Sequence, residues 1–293
     1  MKKIKFFLSL ATASVAAPVT LLSSCNTVVD STKTDKKADL LNNFDTFVQQ
    51  KLIQDILTFI YQDNSQAKNE YIQSQKELLN TDYNQKIAIS LRYANNITGS
   101  MLSYSSYYSF AKAAPIEFGN DITSELSGKN WLYYLFNINK MTFMQDAEFA
   151  RDKSSDEFNN ESAENRLLYN NFYKPSSNEV LDYVVQDYAD NNYETEKRFY
   201  ALNKDGFIYD IRVSAEKEEE SLPRVNILRY LYTYPKLVTS KNKLNEFSLL
   251  KFVQDTKSFE DFNPYDNNTH QILFTDKYGG SQIRYTVVDI NND

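Results

Sequence analysis

Cysteine and histidine are almost missing from this sequence, with one of each among 293 residues. A single cysteine excludes an internal disulfide and any zinc or iron–sulfur centre that needs several thiolates. A single histidine excludes metal sites built on two or more imidazoles. Six glycines leave little material for a phosphate-cradling loop. Ser127-Gly128-Lys129 has neither the first glycine nor the following Ser or Thr of such a loop. Positive charge is also scarce, with 32 Lys and Arg against 39 Asp and Glu for a net charge of −7. A negative surface opposes binding to polyanions, so nucleic acid is not an expected partner. No metal ion or cofactor is assigned.

What is present starts with the N-terminus. Met1-Lys2-Lys3-Ile4-Lys5 is a short basic region, and Phe6 to Leu22 is apolar with small polar interruptions and Pro18 inside it. That pattern reads as a signal peptide rather than a lasting membrane span. It ends Leu22-Ser23-Ser24-Cys25, so the only cysteine sits where a bacterial lipobox places the thiol that receives a diacylglyceryl group. A buried acyl methylene contributes roughly 0.8 kcal/mol, and stable anchoring takes about two chains, which a diacylglyceryl group supplies. The expected mature protein begins at Cys25. Losing Lys2, Lys3 and Lys5 with the leader takes its charge from −7 to −10. The stretch after Cys25, to Asp39, is polar and aperiodic, the composition of a flexible tether. No later stretch approaches the roughly 20 apolar residues of a span.

Four regions follow from this reading: a signal peptide at 1–24, a tether at 25–39, a mainly helical region at 40–195 and an antiparallel β region at 196–293. Leu41, Phe44, Val48, Leu52, Ile56 and Ile60 recur at helical spacing. A second helix is expected over 81–114, with Pro115 stopping it. A third is expected to start near Ser177, with the stripe Val180, Leu181, Val184, Val185 and Tyr188. The acidic segment 145–172 reads as helix fragments and loops. Beyond residue 196 the period becomes two. Phe207, Tyr209, Ile211 and Val213 alternate with Ile208, Asp210, Arg212 and Ser214, and the turn Asn203-Lys204-Asp205-Gly206 joins them to Phe199–Leu202. Val225–Tyr234 reads as one strand. Ile272–Phe274 and Ile283–Val287 read as a second hairpin around Tyr278-Gly279-Gly280-Ser281, and 244–262 fits helix or strand equally. Helices first and antiparallel strands later predict an α+β fold.

The most unusual segment is Asn130-Trp131-Leu132-Tyr133-Tyr134-Leu135-Phe136-Asn137, six large apolar side chains bracketed by asparagine and holding the only Trp. With no polar face, it reads as a central core element. Trp131, Tyr133, Tyr134 and Phe136 also fit an aromatic platform for a sugar, lipid or partner, or a membrane-interface belt. The lipobox leader followed by this run resembles the mycoplasma surface lipoproteins grouped by an aromatic motif, the aromatic cluster surface proteins. The resemblance rests on residues 1–25 and 130–137. It implies surface location, and it brings neither an established activity nor catalytic residues.

Chemistry is harder to find. His270 lies in the polar stretch Asn267-Asn268-Thr269, with no nucleophile elbow before it, and reads as a surface or strand-end residue. Acylation of Cys25 would exclude a Cys–His pair. Glu117, Asp121 and Glu125 could supply a facing carboxylate pair near the aromatic run, as a glycosidase requires. Glu216-Lys217-Glu218-Glu219-Glu220 reads as a solvated loop. Asp152, Asp156 and Glu157 do not fit a calcium loop. The expected function is a lipid-anchored protein on the extracellular face of the cell membrane, non-enzymatic, with an ectodomain that binds a host or environmental partner. The alternatives are a solute- or sugar-binding lipoprotein with an aromatic-lined cleft, and a carboxylate-pair hydrolase.

Overall fold

The computed structural model describes residues 40–41, 43–95, 122, 124–146, 152–160, 168–190, 193–216, 222–238, 247–261, 276–280 and 282–291. The leader, Cys25, the tether, Pro115, Glu117, Asp121, Lys217–Glu220, His270 and Ile272–Phe274 lie outside the described residues, as does the predicted second helix beyond Asn95. The described elements from residue 43 onward belong to one compact unit, Leu41–Asp293.

The first apolar stripe forms helix as its spacing predicts, but in two pieces. Residues 43–48 are helical, the chain breaks at Gln49–Gln50, and helix α1 runs Lys51–Tyr61. Phe44, Val48, Leu52, Ile56 and Ile60 are all buried. Gln54 Nε2 bridges the break by donating to the Val48 carbonyl at 2.7 Å. Asn64 caps helix α2 (Ser65–Leu78), its side chain accepting from the Ala67 amide at 3.0 Å. Helix α3 spans Tyr83–Ala94 and buries Tyr83, Ile87, Ala88 and Leu91. A six-residue π-helical turn, Ser124–Lys129, leads into helix α4, Trp131–Phe136.

An eight-stranded antiparallel sheet follows, built from β1 Met141–Gln145, β2 Phe172–Tyr173, β3 Val180–Asp190, β4 Glu194–Asn203, β5 Ile208–Glu216, β6 Arg224–Ile227, β7 Tyr230–Thr233 and β8 Ile283–Ile290. Its order is β2-β1-β8-β7-β5-β4-β3, with β6 pairing β5. The fold is therefore α+β. The sheet takes β1, β2 and β3 from before residue 196, and helix α5 (Leu249–Asp261) comes after it. In the β4–β5 hairpin, Gly206 adopts φ +85°, while the Asn203 side chain accepts from the amides of Asp205 (3.0 Å) and Phe207 (2.9 Å). The alternation of β5 is as read: Tyr209, Ile211 and Val213 are buried on one face. On the other face Ile208 joins a cluster with Tyr200, Leu202, Tyr234, Phe252 and Tyr278 beneath α5.

Two expectations are corrected and one ambiguity is resolved. The helix expected near Ser177 is strand β3, the outermost strand of the sheet. β-Bulges between Val180 and Asp182 and between Asp187 and Ala189 each shift the register. Between them Val184 and Val185 face opposite sides of the sheet, and such adjacent apolar pairs mimic helical spacing. Val225–Tyr234 is two strands rather than one: β6 pairs only with β5, whereas β7 lies between β5 and β8. The ambiguous 244–262 segment holds helix α5.

Candidate functional site: the aromatic helix and the open sheet edge

Helix α4 is buried on every side. No side chain from Trp131 to Phe136 exceeds 6% exposure. Three of its four aromatics meet rings from other helical segments. Trp131 stacks on Tyr71 of α2 with centroids 5.7 Å apart, and Tyr133 meets Tyr83 edge-on at 5.0 Å. Phe136 takes edge contacts from Phe44 at 5.1 Å and Phe47 at 5.4 Å. Burial pushes the phenol pKa values of Tyr133 and Tyr134 far above the ordinary tyrosine range. A sugar-stacking platform needs an open ring face, and these rings have none.

A buried apolar helix still has orphan amides and carbonyls at its ends. Here side chains meet them. The Leu132 amide donates to Tyr71 Oη, and the Tyr133 amide to Gln75 Oε1, both at 3.4 Å. Gln75 Nε2 donates to Asn130 Oδ1 at 2.9 Å, and Asn130 Nδ2 donates to Tyr83 Oη at 2.6 Å and to Glu125 Oε1 at 2.9 Å. At the other end, Asn137 Nδ2 donates to the Tyr133 carbonyl at 3.0 Å and Asn178 Nδ2 to the Phe136 carbonyl at 2.7 Å. The two asparagines that bracket the run in sequence are thus its fastenings. Gln75, Tyr71 and Asn178 are fastenings that the sequence pattern does not single out.

Of the candidate acids Glu117, Asp121 and Glu125, the first two lie outside the described residues. Glu125 is tied to Asn130 and lies 3.5 Å from Lys129 Nζ. Asp152 closes a local turn, accepting from the amide and hydroxyl of Ser154 at 2.8 Å, which lowers its pKa. Among the described residues no group of three His, Cys, Asp or Glu side chains could hold a metal ion, and no helix is long and apolar enough to cross a membrane.

One pocket of about 260 Å³ is lined by Lys236, Phe247, Ser248, Lys251, Lys277 and Tyr278 among others, and by none of Trp131, Tyr133, Tyr134 or Phe136. Two of its lysines are already engaged. Lys277 pairs with the Asp255 carboxylate, and Lys236 donates to the Asp276 carbonyl.

The two sheet edges differ sharply. β2 is two residues long, with Tyr173 buried against Phe207. β3 is eleven residues long and contains no buried residue. Leu181, Val185 and Tyr188 are 48%, 42% and 45% exposed. On one face Tyr183 donates to Asp55 of α1 at 2.5 Å and accepts from Lys51 at 2.6 Å, while on the other Val184 packs into the cluster under α5.

Buried aromatics and an edge strand paired on one side only among the described strands mark this α+β protein. The sequence model of the aromatic cluster surface proteins matches residues 27–279, most of the chain, and the chain belongs to that family. Membership places it among surface proteins, at the cell surface. Neither a curated protein nor a solved structure matches it.

Proposed function

We propose that this is a lipid-anchored cell-surface protein, held by a diacylglyceryl group on Cys25, whose folded part is a non-catalytic interaction module. The observation that carries the reading is the match to a surface-protein family, which begins at residue 27, two positions after Cys25. A family defined on the segment beyond that cysteine is what removal of residues 1–24 would leave. Two acyl chains suffice for stable anchoring. The aromatic cluster then serves the fold, and contact with a partner falls to the outer surface.

Mass spectrometry of the mature protein tests the anchor. The expected result is an N-terminal Cys25 carrying diacylglycerol, with labelled palmitate incorporated into wild type and lost in Cys25→Ser. Proteolysis of intact cells should degrade the folded part. A mature chain starting elsewhere, or an unmodified Cys25 thiol, would overturn the reading.

A further inference from the structure

The geometry points to strand β3 as an acceptor for an extended, cationic segment of a partner protein, added antiparallel or parallel as a ninth strand over residues 182–187. β3 pairs only with β4 among the described strands, so its other edge presents a row of backbone donors and acceptors. Most strands run 3–10 residues, and exposed edges are ordinarily shortened or guarded by charged residues, proline or bulges. β3 is eleven residues without Lys, Arg or Pro, and its guards are three aspartates and the two bulges, which a cationic segment seated between the bulges would satisfy rather than meet as a barrier. Its two bulges leave Asp182–Asp187 as a regular stretch between them, about 20 Å of pairing surface. Both faces of that stretch are braced, through Tyr183 to α1 and through Val184 to the α5 cluster, so the edge is held in place.

Charge selects the occupant. β3 carries Asp182, Asp187 and Asp190 and no Lys or Arg. Asp187 has one cation, Lys197 at 2.5 Å, yet its side chain stays 77% exposed. A second copy of this chain is disfavoured in the register that would use the whole regular stretch. Antiparallel pairing of 182–187 with itself, centred between Val184 and Val185, sets Asp182 of each copy directly opposite Asp187 of the other. Like charges directly opposite are destabilising. The complementary segment has cations at two positions five apart with β-branched residues between them, so that each cation meets one aspartate and the middle residues meet Val184 and Val185. The backbone supplies affinity and the flanking charges supply choice.

This deepens the interaction reading above and rests on it for its setting. Its test is separate from that of the anchor, so failure here leaves the Cys25 result standing. The mature lipidated chain in detergent micelles is mixed with a disulfide-closed hairpin whose outer strand reads Lys-Thr-Val-Val-Thr-Lys, and amide hydrogen exchange is followed. At a hundred times its Kd, the hairpin should slow every second amide of 182–187 by about 100-fold. A hairpin with Glu in place of both Lys should bind at least tenfold more weakly. The Asp182→Lys, Asp187→Lys double variant changes only exposed side chains and should reverse that preference. Absence of protection, equal protection by both hairpins, or a concentration-dependent dimer protecting 182–187 without any hairpin would each overturn the proposal.

Discussion

Phe136→Ala is the sharpest test of the aromatic helix as a core element. The ring is 6% exposed and takes edge contacts from Phe44 and Phe47 at 5.1 and 5.4 Å. Truncating a buried Phe costs about 3–5 kcal/mol, the lost transfer energy plus the cavity left behind. Each aromatic edge contact accounts for about 0.5–1.5 kcal/mol beyond area burial. For a domain of this size that corresponds to a melting point lower by roughly 6–20 °C. The protein supplies its own probe. Trp131, the only tryptophan, lies on the same helix and is buried against Tyr71, so its emission should be blue-shifted and resistant to quenching until the fold opens. Urea unfolding read by that emission should give a lower midpoint in Phe136→Ala with the slope unchanged. A loss below about 1 kcal/mol, or native emission already typical of exposed tryptophan, would refute the burial argument.

Three further outcomes follow from other contacts. Arg92 of α3 and Asp289 of β8 form a buried ion pair. Arg92→Met should cost about 3–5 kcal/mol, and adding Asp289→Asn should recover part of it in thermal melts; no recovery would mean that the uncompensated carboxylate is not the cause. Burial raises the Asp210 pKa above its ordinary 3.8 against the opposing pull of Arg212 and Arg198. A carboxyl raised in the folded state contributes stability that is complete below its unfolded value and is lost as pH rises through its folded value. Wild type should therefore gain stability over Asp210→Asn as pH is lowered from neutral toward 3.8; a difference that stays flat, or runs the other way, would refute the assignment. Gly279 sits at φ +82°, where a Cβ would stand 2.8 Å from Lys236 Cγ and 3.3 Å from the Lys236 amide nitrogen. Gly279→Ala should cost about 1–2 kcal/mol for the left-handed backbone alone, and Lys236→Ala should relieve only the additional clash.

Much of the fold was legible because burial leaves a period. The stripe from Phe44 to Ile60 and the alternation through β5 were both readable, although β5 also buries Ile208 and Asp210 on its second face. The break at Gln49–Gln50 was not, because two glutamines carry no stop signal and the apolar spacing runs through them. Helix α2 left no stripe, since Gln75 is its only buried residue and it works through hydrogen bonds and the single ring of Tyr71. β3 misled for a physical reason: it is covered partly on both faces, so apolar neighbours such as Val184 and Val185 face opposite sides yet fall at helical spacing. The aromatic run was visible at once, but sequence alone left its role open. Fixing that role took the placement of Tyr71, Gln75 and Tyr83, more than 45 positions away along the chain.

Helix α4 has six residues, whereas isolated helices shorter than roughly 12–15 are marginal in water. On its own it is too short to persist, and its first turn is held by Tyr71 and Gln75 of α2, its last by Asn137 and Asn178. Its conformation is therefore tertiary in origin, and it depends on α2 being in place. Until then the growing polypeptide carries its stickiest hexamer uncovered, and a chain deprived of residues 65–78 should be recovered as insoluble material rather than as a loosened monomer.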